Sequence, residues 1–217
     1  PVWPKDEFLE ATQVAAARGF VLHIHAIGDA GVTDALDAIE AAGAPAGCAI
    51  AHTELVRDGE FARFAALGVT ANFEPFWAQN NSMLTSCVPQ LGRHRIDRMY
   101  RMRDAINAGV NISFGSDWPV SSFVPLEGIQ VGITRAPIGS TEPSWVADQA
   151  VTAREAFAAY SAGVARQLLD SEAGELKTGQ RADFIVLAKD PFATPEKELA
   201  AIDVMATYSS AELLFSR

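Results

Sequence analysis

Positive charge, cysteine and long apolar runs are all scarce in this chain, and each scarcity removes a class of function. Lys and Arg number 17 against 27 Asp and Glu in 217 residues, a formal net charge of −10. A surface that holds nucleic acid or an anionic membrane needs clustered cations, so neither partner is expected. The two cysteines, Cys48 and Cys87, form no CxxC pair, which removes a cysteine zinc site and leaves a disulfide without support. A reduced, cytoplasmic setting is the expectation. No window is apolar for long enough to span a bilayer. The opening Pro1-Val2-Trp3-Pro4-Lys5-Asp6 has neither the basic region nor the apolar core of a signal peptide. It also lacks Met, so a longer natural chain is expected. What remains is an ordinary globular composition, 49% hydrophobic and 20% charged. That suffices for one substantial domain, or a domain with a small appendage.

Short apolar runs alternate with stretches of helical period. Lys5 to Arg18 carries Phe8, Leu9, Ala11, Val14 and Ala15 at helical spacing and stops at Gly19. Phe20 to Ala26 reads as a strand, Asp29 to Ala42 as a helix with Val32, Leu36 and Ile39 on one stripe, and Cys48 to His52 as the next strand. Asp58 to Leu67 reads as a helix closed by Gly68, and Val69 to Phe73 as a strand. Glu74 to Asp97 is a long polar and aromatic loop with room for a short helix, of a length often tied to function. A helix over Arg98 to Ala108 and a fourth strand over Val110 to Gly115 follow. Four such units, with short strands apolar on both faces, predict an α/β fold with a parallel sheet wrapped by helices. Further on, Pro125 to Arg135 reads as a helix, and Thr152-Ala153-Arg154-Glu155 is a capping box opening a helix through about Leu168. From Gly174 the pattern is β: Gly174 to Leu176, Ala182 to Leu187, and Val204 to Tyr208 with Leu213 to Phe215. The intervening Ser209-Ser210-Ala211 is a poor hairpin signal.

Three of these strands end on metal-ligand residue types. They are His23-Ile24-His25 before Ala26-Ile27-Gly28-Asp29, Cys48-Ala49-Ile50-Ala51-His52, and Val110 to Gly115 before Ser116-Asp117-Trp118-Pro119. In a β/α barrel all strand ends of this sense point to one face. Two imidazoles and a carboxylate gathered there suit zinc or a similar divalent ion. Period-two geometry puts His23 and His25 on the same sheet face, so both are candidates. Asp117 beside a metal could hold the ion and take a proton from bound water, although Asp before Trp-Pro also suits a turn. Ser116 is not in a Gly-x-Ser-x-Gly elbow, so no serine nucleophile is expected. Asp29 is expected to cap the following helix or orient a ligand histidine. Glu54 is a candidate acid or a solvated loop carboxylate. Trp77, Trp118 and Arg135 are candidates for a substrate pocket, with core packing the alternative for the two Trp residues. His94, among Arg93, Arg95 and Arg98, reads as a solvated basic patch, with an anionic substrate group as the alternative partner.

The motifs His25-Ala26-Ile27-Gly28-Asp29, Ala51-His52, Gly115-Ser116-Asp117-Trp118-Pro119-Val120, and the run from Gly174 to Leu187 resemble the amidohydrolase superfamily. The nearest match is the amidohydrolase family 3 group, which includes N-substituted formamide deformylase. The resemblance runs along nearly the whole chain. It implies that His25 ends the fifth strand of a metal-dependent β/α TIM-type barrel, His52 the sixth and Asp117 the eighth. Residues 1–170 would then be the second half of that barrel, strands five to eight. Residues 171–217 would be the C-terminal strands of a composite β-sandwich. By the same resemblance, His25 rather than His23 is the ligand, and an HxH pair and a bridging ligand belong to a first half absent here. Two departures, Ala30-Gly31 where an Arg is common and Ala51 where a Glu is common, leave the substrate open.

The implied activity is metal-dependent hydrolysis of a C–N bond other than a peptide bond, in a small-molecule amide, N-acyl or N-formyl substrate. Its cofactor is a divalent metal ion, expected to be zinc. The competing reading is a catalytically inactive fragment that self-associates. A half-barrel leaves two sheet edges and an apolar interior face uncovered. Ile24, Ile50, Ala71 and Ile112 are expected to line that interior, with a homo-oligomer partner or the missing N-terminal half covering them.

Overall fold

The computed structural model describes residues 3–217, apart from the side chains at positions 83, 88 and 93. The Arg93 member of the expected basic patch therefore lies outside the described side chains. The first half alternates helix and strand as expected: α1 (Lys5–Ala17), β1 (His23–Ala26), α2 (Asp29–Ala41), β2 (Ala49–His52), α3 (Glu60–Leu67) and β3 (Thr70–Phe73). The long segment after β3 is not a plain loop. It holds a 3-10 turn at Pro75–Trp77, then α4 (Ser82–Leu91) and α5 (Arg93–Ile96). After it come α6 (Met102–Asn107) and β4 (Ile112–Phe114). The four strands form one sheet in the order β1-β2-β3-β4, with every neighbour pair parallel.

The register explains what each face of the sheet does. Ile24, Ile50, Ala71 and Ile112 lie in one row across the sheet. The expectation that this row faces an open interior is corrected: Ile50 and Ala71 are fully buried and Ile112 nearly so. They share one core with Val32, Leu36 and Ile39 of α2 and Phe61 and Phe64 of α3. The neighbouring row, His25, Ala51, Asn72 and Ser113, is the polar one. There the Asn72 amide donates to Ser113 Oγ at 2.9 Å, and Ser113 Oγ donates to Gln167 Oε1 at 2.5 Å. Helices α2 and α3 need an apolar partner, so the aliphatic row turns to them, and the polar row lies on the opposite face, where Gln167 meets Ser113. β1 begins later than expected, since Phe20 and Val21 stand outside the ladder and are exposed.

Beyond β4 lie α7 (Pro125–Thr134), α8 (Ala153–Tyr160) and α9 (Ala162–Gln167). The capping box opens α8: Thr152 Oγ1 accepts from the Glu155 amide, and Glu155 Oε2 accepts from the Thr152 amide at 2.7 Å. The single helix expected through Leu168 breaks at Ser161, with φ −121° and ψ −90°. The break seats Gly163 against β4, where a Cβ would lie 2.2 Å from the Ile112 carbonyl oxygen.

The tail forms a second sheet, antiparallel, of β5 (Phe184–Leu187), β6 (Val204–Ser209) and β7 (Glu212–Ser216). Gly174 to Leu176, expected as a strand, is instead turn and coil. The β6–β7 hairpin turns on Ser210 and Ala211, both at positive φ (51° and 66°) without any glycine. Asp183 stabilises that turn by accepting from the Ser210 amide at 2.8 Å. Between β5 and β6, Leu199 and Ile202 anchor the tail in the main core, and the Ala200 amide donates to Gln130 Oε1 of α7 at 2.8 Å. Among the described residues, no helix is long and apolar enough to cross a membrane.

Candidate metal centre

All four parallel strands deliver a chemically active side chain at or just beyond their C-terminal ends: His25 from β1, His52 from β2, Glu74 from β3 and Asp117 from β4. Register pairs His25 with Ala51, one residue short of His52. The chain leaves the extended conformation at that point, with φ of 70° at His52 and 48° at Thr53. The two imidazoles meet edge to face, their ring centroids 4.3 Å apart and their planes at 70°. His25 is open to solvent and His52 is buried.

Glu74 is the residue that sequence reasoning missed. Its side chain is 5% exposed, and its Oε2 lies 3.1 Å from His52 Nδ1. That carboxylate raises the pKa of His52 above the ordinary imidazole value, against burial, which lowers it; Asp117 and Glu54 add smaller pulls in the same direction as Glu74. Glu54 is held above the usual carboxylate range by burial, with the Tyr100 hydroxyl bonded to it. Burial, and then Glu54, push the Tyr100 hydroxyl well above its ordinary value. One signal for Glu74 was available: it directly follows the end of a strand, in the region where the other three also lie.

The remaining expected residues fall into distinct places. His23 is exposed, beside His25 on the same face of β1. Asp117 is exposed, at φ 53°, and its carbonyl accepts from the Val120 amide at 2.8 Å, so it is also a turn residue. Asp29 is not the N-cap of α2, which is Gly28, but its Oδ1 accepts from the first-turn Ala30 amide at 2.9 Å, while its Oδ2 pairs with Arg95 at 2.6 Å rather than with a histidine. Arg95 and Arg98 are therefore not a free basic patch: Arg98 is bonded to Asp58. Trp77 packs partly buried against the core, whereas Trp118 is 65% exposed and meets Phe123 edge-on. Arg135, expected near a pocket, is fully buried. It donates to the carbonyls of Tyr100 and Trp145 at 3.2 and 3.1 Å, and stacks 4.7 Å over the Trp145 ring. Burial lowers its pKa to about 10.

The donor set fits a borderline divalent ion: two imidazoles in contact, one of them backed by a buried carboxylate whose Oε2 has no other partner. Among the described residues, no group of three or more His, Cys, Asp or Glu side chains closes into a complete cation site. His25 and His52 are brought together, and Asp117 stands within electrostatic reach of His52 without completing a cage.

Parallel strands that carry histidines and acids at their C-terminal ends place a site on the face where β/α enzymes build theirs. The chain belongs to the amidohydrolase family, whose model matches residues 1–215. It is 28% identical over 221 residues to the protein LONG AFTER FAR-RED 3 of Arabidopsis thaliana, covering 99% of this chain and 37% of that protein. It is 28% identical over 222 residues to the N-substituted formamide deformylase of Arthrobacter pascens, covering 99% of this chain and 40% of that enzyme. The fold superposes on an uncharacterized metal-dependent hydrolase from Pyrococcus horikoshii with a TM-score of 0.77 and 28% identity, covering 90% of this chain and 39% of that one. The chain thus spans about two-fifths of the length of the relatives it matches.

Proposed function

We propose that this chain carries part of the active site of a metal-dependent hydrolase that cleaves C–N bonds other than peptide bonds. The observation that carries the reading is the His25–His52 contact at 4.3 Å on the strand ends of a parallel sheet. In this reading residues 1–170 are strands five to eight of a TIM-type barrel and 171–217 belong to its sandwich. The further ligands come from the additional length found in the relatives.

His25 and His52 would hold the ion, with Asp117 as the third protein ligand and zinc as the ion the donors favour. A divalent ion bound there supplies Lewis acidity and lowers the pKa of its water. Asp117 takes the proton from the attacking water and hands it to the departing amine nitrogen. His23, beside His25, and Trp118, both exposed, are the residues this reading assigns to substrate binding. The Arthrobacter relative's name supports an N-acyl or N-formyl amine as substrate. The test is amine release from a panel of N-formyl and N-acyl amines by zinc-loaded protein. The proposal expects release that a chelator stops and that Asp117→Asn loses. Release that survives both contradicts it.

A second reading concerns the chain on its own. No third ligand closes the cation site among the described residues, which favours an isolated polypeptide that is catalytically silent until paired. The open edge of β1 supports this, because a cavity of about 490 Å³ lies there, lined by Trp3, Phe8, Ala15, Leu22 and Ile24 with His25. The proposed cover is the remaining barrel half or, failing that, a second copy of the chain.

A further inference from the structure

Glu74 has a place in the site that neither its sequence context nor the metal-ligand set explains. It follows β3 directly, and its backbone carbonyl accepts from the Trp77 amide at 3.0 Å, which fixes the residue at the strand end. Its carboxylate is buried, and Oε2 is sealed from solvent without a hydrogen bond of good geometry, its ion-pair contact being His52 Nδ1 at 3.1 Å. Gly115 packs opposite the carboxylate: a Cβ there would lie in ordinary contact, 3.6 Å from Glu74 Oε1, and the Gly115 carbonyl is itself tied by the Tyr160 hydroxyl at 3.2 Å. Three strand ends thus converge on one carboxylate: β2 through His52, β3 through Glu74 itself, and β4 through Gly115.

A carboxylate accepts hydrogen bonds and donates none, whereas a neutral imidazole carries its hydrogen on one nitrogen and a lone pair on the other. With Glu74 Oε2 3.1 Å from Nδ1, the hydrogen of His52 belongs on Nδ1 and the lone pair on Nε2. Histidines that bind metals are commonly fixed this way, through their second nitrogen, by an outer carboxylate. We propose that Glu74 is the positioning residue for His52, holding it as the Nδ1–H tautomer with Nε2 presented to a divalent ion. This inference rests on the metal reading above. It assigns Glu74 no contact with the ion or the substrate.

The test uses the 217-residue chain labelled with 15N-histidine, free of metal, and long-range proton–nitrogen correlation spectra. The wild-type spectrum needs no variant: His52 is expected as Nδ1–H, and finding it as Nε2–H overturns the inference. Glu74→Ala is expected to convert His52 to Nε2–H and to weaken zinc binding about 10- to 100-fold by calorimetry. Glu74→Gln, which keeps an acceptor oxygen and the side-chain shape, is expected to restore the wild-type tautomer and most of the affinity. An unchanged tautomer in folded Glu74→Ala also overturns the inference. A tautomer that changes while His52→Ala leaves zinc uptake untouched overturns the metal reading and the purpose assigned to Glu74 with it.

Discussion

The imidazoles of His25 and His52 touch at 4.3 Å although the sheet register sets His25 beside Ala51. Strict alternation along β2 would send residues 51 and 52 to opposite faces. The positive φ at His52 and Thr53 ends the strand there, and Thr53 Oγ1 secures the turn by donating to the Ile50 carbonyl at 2.8 Å. A non-glycine residue at positive φ is uncommon and costs of order 1–3 kcal/mol, and such residues cluster where function requires them. Two consecutive ones at a strand end, one of them a histidine, are local strain serving the site.

Asp117→Asn should fold normally, since Asn tolerates the left-handed backbone that Asp117 adopts at φ 53°. In the metal-loaded enzyme its turnover should fall by roughly 10²- to 10⁴-fold, the usual worth of a positioned general base. Steady-state kinetics, with circular dichroism to confirm the fold, measure this. Undiminished turnover would remove Asp117 from the chemistry.

Arg135→Met should be strongly destabilising without touching the strand-end histidines. The guanidinium is fully buried and donates to the Met99, Tyr100 and Trp145 carbonyls; Tyr100 keeps the Met102 amide as a donor, whereas methionine would take this donor from the Met99 and Trp145 carbonyls. Each buried acceptor left unsatisfied costs about 1–3 kcal/mol, so a loss of about 3–5 kcal/mol is expected from urea unfolding. A loss under about 1 kcal/mol would show that Arg135 is not a structural pin.

The Arg103–Glu155 pair should give stability a characteristic acid limb. Arg103 holds the Glu155 carboxyl at about 2, well under its ordinary 4.5. A depressed folded-state pKa means the unfolded chain binds the proton first as pH falls. The contribution is therefore full above about pH 4.5 and disappears as pH drops through about 2. Glu155→Gln keeps an acceptor for the Thr152 amide and removes the charge. It should cost about 1 kcal/mol at pH 7, a difference from wild type that narrows towards pH 2 in thermal melts. A gap independent of pH would assign the effect to packing.

The purified chain should associate. Beside the apolar cavity at the edge of β1, the second sheet leaves Leu213, Leu214 and Phe215 exposed on β7, and unpaired sheet edges recruit partners. Light scattering at low concentration is expected to give a dimer or larger species. A monodisperse monomer with a cooperative melt would show that these surfaces need no cover.

The parallel sheet was legible because its strands are short apolar runs, each preceded by a helical stretch that a glycine stops. The strand-end positions of His25, His52 and Asp117 followed from the same punctuation. Which row of the sheet faces which way was not legible. Strands buried on both faces carry no alternation to orient them, so nothing in the sequence shows that Ile24, Ile50, Ala71 and Ile112 turn to the helices. Asp29 paired with Arg95, 66 residues away, and no local pattern announces a partner at that distance. Glu74 stayed hidden because a single Glu opening a polar segment looks like any solvated carboxylate until burial is known. The Ser210-Ala211 turn succeeds without glycine because Asp183, far along the chain, holds its amide.

The most direct measurement is zinc uptake, by elemental analysis and calorimetric titration, of the wild-type chain against His25→Ala/His52→Ala. His25 is exposed and His52 lies at a strand end rather than in the aliphatic core, so the fold should survive both changes, as circular dichroism would confirm. The account predicts that the wild-type chain takes up an ion which the double variant does not hold. Equal uptake by the two folded proteins would contradict it.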